Sequence, residues 1–496
     1  MVKRILLDKS TTIINGSDLN YGLNPICMLN HGAITSRFLI HFDTSKIKEM
    51  IEDKTLLPQN TTYRIKMKNC GSLNNIYKQK MTSTDINGIK ERATSFTIIA
   101  FTIPQKWDEG VGFDSEGDIF ETGKGVYSSD GATWKQASNE EVWLYDGIYP
   151  TDILIEEYKE FKKEKPSIII GEQHFDHGNE DIDIDITNYI NSIVLSSDSG
   201  NTENSGNTIT DDSGNTFNIE NNGICFAFAP ILENDNAITT TQYVGFFNNK
   251  TNTIFEPVIE CRTNEGINDD RMDFVLDRDN KLYFYSFIGG KLKNLDELPT
   301  CYIDELEETG KTVEVIQKGK GIYAALLRID SEKFEKDMIL HDIWGNIKYH
   351  GKKFKDIELE FVTKESEEYF SFGSKIKSPR ILSPIVNGIS FNEDISQEEV
   401  RHIKVFFKEL YTHTNYTIQE KCWYKIYAKD GNKEYTVIDW DYINKTNNCS
   451  SFNIDMNGLT PARYYVDIKA QYGDETRIYK EQLIFNVVSN SSKIKL

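Results

Sequence analysis

His174 and His177 stand three residues apart in Gly171-Glu172-Gln173-His174-Phe175-Asp176-His177-Gly178. Two imidazoles at that spacing, with acids beside them, can share a metal ion. No second His or Cys pair lies close by in sequence, so an exposed polar turn is the favoured reading. Asp181, Asp183 and Asp185 alternate with Ile182, Ile184 and Ile186. That places three carboxylates on one face of a strand, either as oxygen ligands of the kind calcium takes or as a solvated or interface face opposite basic residues. The acidic stretch 108–118 lacks the spacing and the final Glu of a helix-loop-helix calcium loop. Trp107, Trp134 and Trp143 suit a sugar-stacking platform or a β-sandwich core. A glycosidase pair cannot be picked out among 77 acids without geometry. Serine-hydrolase and phosphate-loop patterns are absent from the sequence. The sequence therefore assigns no catalytic, cofactor-binding or metal residue, and the chain is expected not to be an enzyme.

The elements that must position these residues are strands. Ser36-Arg37-Phe38-Leu39-Ile40-His41-Phe42-Asp43 puts Phe38, Ile40 and Phe42 on one face, and Tyr464, Val466, Ile468 and Ala470 alternate with Tyr465, Asp467, Lys469 and Gln471. Period two, broken every ten residues or so by Gly, Asn, Asp or Pro, predicts half-buried strands in sandwiches or barrels. The expected fold class is all-β and multidomain. Residues 1–260 form a jelly-roll-like sandwich, 261–378 a β-rich middle domain, 379–490 an immunoglobulin-like sandwich, and 491–496 a tail.

The segment 196–222 is rich in Ser, Asn, Gly, Asp and Thr, cannot bury a core, and predicts an exposed loop or small hairpin. Residues 150–161 fit a short helix or, nearly as well, a strand. Asp430-Gly431-Asn432 between alternating runs predicts a hairpin. About seven strands in the last 110 or so residues match the immunoglobulin-like size. Its expected core is Trp423, Ile426, Val437, Tyr464, Val466, Ile468 and Phe485.

The net charge of −21, from 56 basic and 77 acidic residues, disfavours tight binding of nucleic acid or anionic lipid. It does not exclude enclosing DNA, which a negative lumen would let pass. The longest apolar runs are too short for a membrane helix, and the N-terminus lacks the run of a secretory signal. Seven widely spaced cysteines predict reduced core residues, with Cys422 and Cys449 a conceivable cross-strand pair.

The first half resembles the DNRLRE-type β-jelly-roll. The resemblance lies in Asn20-Tyr21-Gly22, the strand at 36–43, Trp107-Asp108-Glu109-Gly110, Trp134, Ile184-Asp185-Ile186-Thr187-Asn188-Tyr189-Ile190, and Asn222-Gly223-Ile224-Cys225-Phe226-Ala227-Phe228. The long polar insertion before Asn222 departs from that pattern. The remainder resembles virion proteins of crAss-like podoviruses in Asp270-Arg271-Met272-Asp273-Phe274, Leu282-Tyr283-Phe284-Tyr285, Leu295-Asp296-Glu297-Leu298-Pro299, Asp342-Ile343-Trp344-Gly345-Asn346 and Arg463-Tyr464-Tyr465-Val466-Asp467-Ile468-Lys469. The resemblance implies a structural subunit of an oligomeric tail or collar ring near the portal, contributing to the DNA ejection channel. Its partners would be copies of itself and neighbouring tail and portal-complex proteins, with no cofactor, no sequence-specific nucleic-acid binding and no membrane. It would belong to the virion and be assembled in the host cytoplasm. The alternative is a fibre or spike that binds host surface glycans.

Overall fold

The structure is a computed structural model and describes residues 1–31, 34–70, 95–113, 129–165, 167–195, 208–210, 216–218, 220–233, 242–264, 266–306, 313–364, 382–409, 421–446, 450–472 and 475–489. Half of the chain lies in strands and a tenth in helices, so the protein is all-β and multidomain. It divides into two compact units.

One unit comprises Lys3–Lys46 and Thr62–Arg262. Its strands are β1 (Val2–Leu6), β2 (Lys9–Ile14), β3 (Ile26–His31), β4 (Ser36–His41), β5 (Thr61–Met67), β6 (Phe96–Thr102), β7 (Ile169–Phe175), β8 (Ile182–Asp185), β9 (Thr208–Thr210), β10 (Thr216–Asn218), β11 (Ile224–Phe228), β12 (Gln242–Phe247) and β13 (Val258–Thr263). A seven-stranded sheet runs β12-β3-β4-β11-β6-β7, with β2 also on β4, and a four-stranded sheet runs β1-β13-β5-β8. The polar segment 196–222 contributes the β9–β10 hairpin, while 196–207, 211–215 and 219 lie outside the described residues. Residues 151–161 take the helical alternative, with Leu154 buried and Ile153, Tyr158 and Phe161 packed against the core.

Strand β4 differs from the half-buried expectation. Arg37, Phe38, Leu39 and Ile40 are all buried, because the strand is central and covered on both faces. Phe38 stacks on Phe226 at 4.7 Å, while Leu39 enters a cluster with Phe101, Trp107 and Trp143. Arg37 fits there because its charge is matched. It donates to the Gly147 and Tyr149 carbonyls at 2.6 and 2.7 Å and pairs with Glu233 at 2.6 Å.

Asn20, Gly22, Trp107, Glu109 and Asn222 of the first resemblance meet at a second polar knot. Asn20, 2% exposed, donates to the Glu109 and Ala132 carbonyls at 2.9 Å each, and its Oδ1 accepts the Gly22 and Gly112 amides at 2.9 and 3.0 Å. The chain passes so close that a Cβ at Gly112 would stand 1.9 Å from the Asn20 carbonyl oxygen, which reserves that position for glycine. Trp107 Nε1 donates to the Asn222 carbonyl at 2.7 Å, and Glu109 accepts the Ser10 amide at 2.9 Å and pairs with Lys250 at 2.8 Å.

The other unit comprises Met1–Val2, Ile47–Thr61 and Thr263–Leu496. The expected 1–260 module is thus interrupted, because 47–61 groups with the C-terminal residues. Asp53 explains why: its carboxylate pairs with Lys320 at 2.6 Å, and its carbonyl accepts the Asn294 amide at 3.1 Å. The middle strands are β14 (Phe274–Val275), β15 (Asn280–Tyr285), β16 (Phe287–Ile288), β17 (Lys291–Leu292), β18 (Thr300–Ile303), β19 (Glu314–Gly319), β20 (Ile322–Leu327), β21 (Ile339–Gly345), β22 (Lys348–Tyr349), β23 (Lys352–Lys353) and β24 (Ile357–Lys364). They make a β14-β24-β21-β18 sheet, a β15-β20-β19 sheet and two small hairpins. Phe284 of β15 stacks on Trp344 of β21 at 5.2 Å and joins the two sheets. Beneath them Arg271 is held by Asp342, with Nη2 on Oδ2 at 2.9 Å, and Trp344 Nε1 donates to the same carboxylate at 2.6 Å.

The last strands are β25 (Leu382–Asn387), β26 (Glu393–Ser396), β27 (Val400–Glu409), β28 (Lys421–Asp430), β29 (Lys433–Tyr442), β30 (Asn444–Lys445), β31 (Ser450–Asp455), β32 (Ala462–Tyr472) and β33 (Glu475–Val488). One sheet runs β25-β27-β31-β30, the other β26-β33-β32-β28-β29, with β26 parallel to β33. Tyr424 stacks on Phe452 at 4.1 Å between them. This strand order is that of an immunoglobulin-like sandwich. Tyr464, near the start of β32, donates to the Thr460 carbonyl at 2.8 Å, the tyrosine corner of such folds. The hairpin at Asp430-Gly431-Asn432 is present, with Gly431 at φ +57°. Ile426, Tyr464, Val466, Ile468 and Phe485 are buried as expected. Trp423 and Val437 are only half-buried. Trp423 has the opposite parity to Ile426, and Val437 the opposite parity to buried Ile438, so strand alternation turns both away from the core.

Val466 is fully buried opposite Ile426 and Leu483. Val466→Asp is expected to unfold the sandwich, since an unpaired carboxylate there has no partner. Thermal unfolding of the variant checks this, and a parent-like transition would contradict the face assignment.

Candidate interaction surface

The structure distributes the candidate residues rather than gathering them. His174 binds the Thr97 and Ser95 hydroxyls at 3.0 Å through its two nitrogens, while His177 lies in a turn whose amides bond to Glu180. Asp181, Asp183 and Asp185 do share a face, but across the strand they meet bases. Arg64 reaches Asp183 at 2.6 Å and Asp185 at 3.4 Å, and Lys68 reaches Asp181 at 2.8 Å. This is the arrangement opposite basic residues, and among the described residues no group of three or more potential ligands could hold a metal ion. Trp107, Trp134 and Trp143 are 4%, 8% and 4% exposed and belong to one core cluster. They fill the core and offer no open platform. Cys422 is buried and free, whereas Cys449 lies outside the described residues. Burial pushes the Cys422 thiol up to about 12.

The residues that do form a surface are those that alternate away from the C-terminal core. Pairing sets Trp423 opposite Lys469, Lys425 opposite Asp467, and Tyr427 opposite Tyr465 on β28 and β32. Lys469 Nζ lies between two indoles, 4.5 Å from the ring centre of Trp423 and 4.7 Å from that of Trp440. Tyr465 stacks at 5.6 Å on Tyr427, which is itself fully buried beneath the face, with Lys425 5.6 Å from Tyr427 and Lys429 4.8 Å from Tyr465. Ile478, 52% exposed, pairs with Lys469 and adds an apolar edge. Cations over aromatic faces are attracted by the ring quadrupole and keep their charge toward solvent.

One carboxylate organises this face from below. Asp467, fully buried, accepts the Tyr427 hydroxyl at 3.1 Å and the Glu481 amide at 2.9 Å, and its other oxygen pairs with Lys480 at 2.8 Å. Three residues, 480–482, stand opposite this one residue, and Glu481 takes φ +54° to make the bulge. Pairing with the Asp467 carboxylate, opposed only by desolvation, raises the Lys480 ammonium above its usual range, and Glu481 does the same for Lys429. Burial, then Asp467, pushes the Tyr427 phenol up. Lys425 and Lys469 have no carboxylate within ion-pair distance among the described residues. The face can therefore attract anionic groups while offering flat aromatic contact. Sequence reasoning placed Tyr465, Asp467 and Lys469 on the outer side of β32 but missed the surface. Its signal was the matching Trp-x-Lys-x-Tyr interleaving at 423–427.

No family model matches the chain, and no curated protein matches it. Solved structures give partial likenesses. An engineered protein, 10% identical, covers 21% of this chain and 20% of its own at a TM-score of 0.15. The endo-β-1,4-mannanase of Thermotoga petrophila, 10% identical, covers 26% and 27% at 0.15. Fibronectin(III)-like modules of Clostridium thermocellum CbhA, 8% identical, cover 47% and 96% at 0.15. The chain thus spans about a fifth to a quarter of the length of the first two. Scores this low carry no argument, and the immunoglobulin-like reading rests on strand order and the tyrosine corner.

Asp467→Ala is expected to destabilise the sandwich by about 2–3 kcal/mol, because a buried amide and a phenol lose their acceptor. Lys480→Met should also destabilise it, because the ammonium is half exposed but the Asp467 carboxylate it leaves behind is fully buried. Urea unfolding of both variants checks this, and parent-like stability in either would contradict it.

Proposed function

We propose that the chain is a structural, non-catalytic subunit of a tailed-phage virion, repeated in a tail or collar ring near the portal. The observation that carries this reading is the cationic, aromatic outer face of the C-terminal sandwich on a chain whose net charge is −21. Such a face is self-complementary to the rest of its own molecule. A subunit bearing two different complementary faces builds heterologous contacts, which close into rings when the rotation permits.

The resemblance of the remainder of the chain to virion proteins of crAss-like podoviruses, carried by Asp270-Arg271-Met272-Asp273-Phe274, Asp342-Ile343-Trp344-Gly345-Asn346 and the motifs that accompany them, adds the virion setting. The acidic balance suits a channel that must release DNA, since attraction to phosphate would create sticking points. Copies of this chain and neighbouring tail and portal-complex proteins would then be its partners, in a particle assembled in the host cytoplasm.

Electron microscopy of whole particles, with the chain traced into density, tests this. Multiple copies around the tail axis near the portal are expected. A lone trimeric spike away from that axis, or absence from particles, would overturn the proposal.

A further inference from the structure

The middle sheets present a second face whose character is opposite. On the outer side of β18, β21 and β24, Tyr302 pairs with Ile343, Ile343 with Glu358, and His341 with Glu360. Glu358 and Glu360 are 65% and 69% exposed, and their only cation among the described residues is the His341 imidazole at 3.9 and 4.0 Å. That imidazole is already held by Glu305 at 2.5 Å. Exposed apolar groups interleave with the acids: Tyr302 is 40% exposed and Ile339 56%. The pattern mirrors the C-terminal face, where Lys425 and Lys469 interleave with Trp423, Trp440, Tyr465 and exposed Ile478.

We propose that the Lys425/Lys469 face of one copy docks on the Glu358/Glu360 face of the next, making a head-to-tail contact between copies of this chain. The inference rests on the reading of the chain as a repeating subunit and names the surfaces that repeat. Two considerations select a second copy as the occupant. The first is charge: each face holds groups with no full partner among the described residues, and their signs are opposite. The second is chemistry: both are pleated sheet faces with flat apolar groups between the charges, so contact removes apolar area from water while pairing the ions at its rim.

Size sets the strength. Four strands about 4.8 Å apart and about six residues long give a face of about 400 Å². A standard interface takes about 800 Å² from each partner. One such contact is weak, and closure, in which every copy makes two, is what would hold an assembly. Association should accordingly rise steeply with concentration and fall in about 1 M salt, where screening acts within about 3 Å.

The test uses the full chain and sedimentation velocity at low salt. The Lys425→Glu, Lys469→Glu double variant has two acidic faces, and the Glu358→Lys, Glu360→Lys double variant has two basic ones. Each alone is expected to remain monomeric at concentrations where the parent associates. An equimolar mixture of the two should associate again, because each can then dock only on the other. Recovery in the mixture also shows that both variants are folded. If the parent associates and either variant does so equally, or the mixture stays monomeric, the assignment of faces is overturned while the ring reading stands. If the parent itself is monomeric at every concentration and salt, the repeating-subunit reading fails with it.

Discussion

The outer face of the C-terminal sandwich depends on the burial of one carboxylate. Asp467 occupies a position that strand alternation turns outward, between Tyr465 and Lys469, yet it is fully covered. Three groups converge on it: a phenol and a backbone amide donate to one oxygen, and an ammonium pairs with the other. The amide is available only because β33 bulges at 480–482. The aromatic rings that cover the carboxylate are the same rings over which the remaining lysines lie. Were Asp467 at the surface, it would sit opposite Lys425 and neutralise it. Sinking it leaves the rim cationic.

The same solution recurs in other modules. Arg37 and Glu233 are paired inside the first unit, and Arg271 and Asp342 inside the middle sheets. In each case backbone carbonyls or a Trp N–H complete the shell. Breaking such a pair leaves an uncompensated buried charge, which costs far more than an exposed pair contributes. Beside Arg271, burial lifts the Asp269 carboxyl to about 6, despite the opposing pull of the guanidinium. The polar interior thus fixes the geometry of each sandwich, and the surfaces are free to carry charge patterns.

Much of the architecture was legible in the sequence because strand period and turn chemistry are local. The alternation at 464–470, the Asp430-Gly431 turn and the Asp181/Asp183/Asp185 face all follow from it. What was not legible depends on partners distant in sequence. Arg37 looked like an outward residue of a half-buried strand, and only Glu233, 196 residues away, makes it an interior one. Trp107, Trp134 and Trp143 read more readily as core than as platform, and all three are buried, but which distant residues close over them is not written locally. Trp423 was misplaced through parity, and the segment 47–61 left its neighbours for Lys320 and Asn294, which no local pattern announces.

The central claim is that two faces of one chain, one cationic and one acidic, meet between copies. Zero-length carbodiimide coupling tests it most directly, since it joins only a lysine and a carboxylate already in contact. With equal amounts of isotopically light and heavy chain, the account predicts mixed-label cross-links from Lys425 or Lys469 to Glu358 or Glu360, lost in about 1 M salt. Mixed-label links that are absent, or that join other surfaces and leave both pairs unmodified, would contradict it.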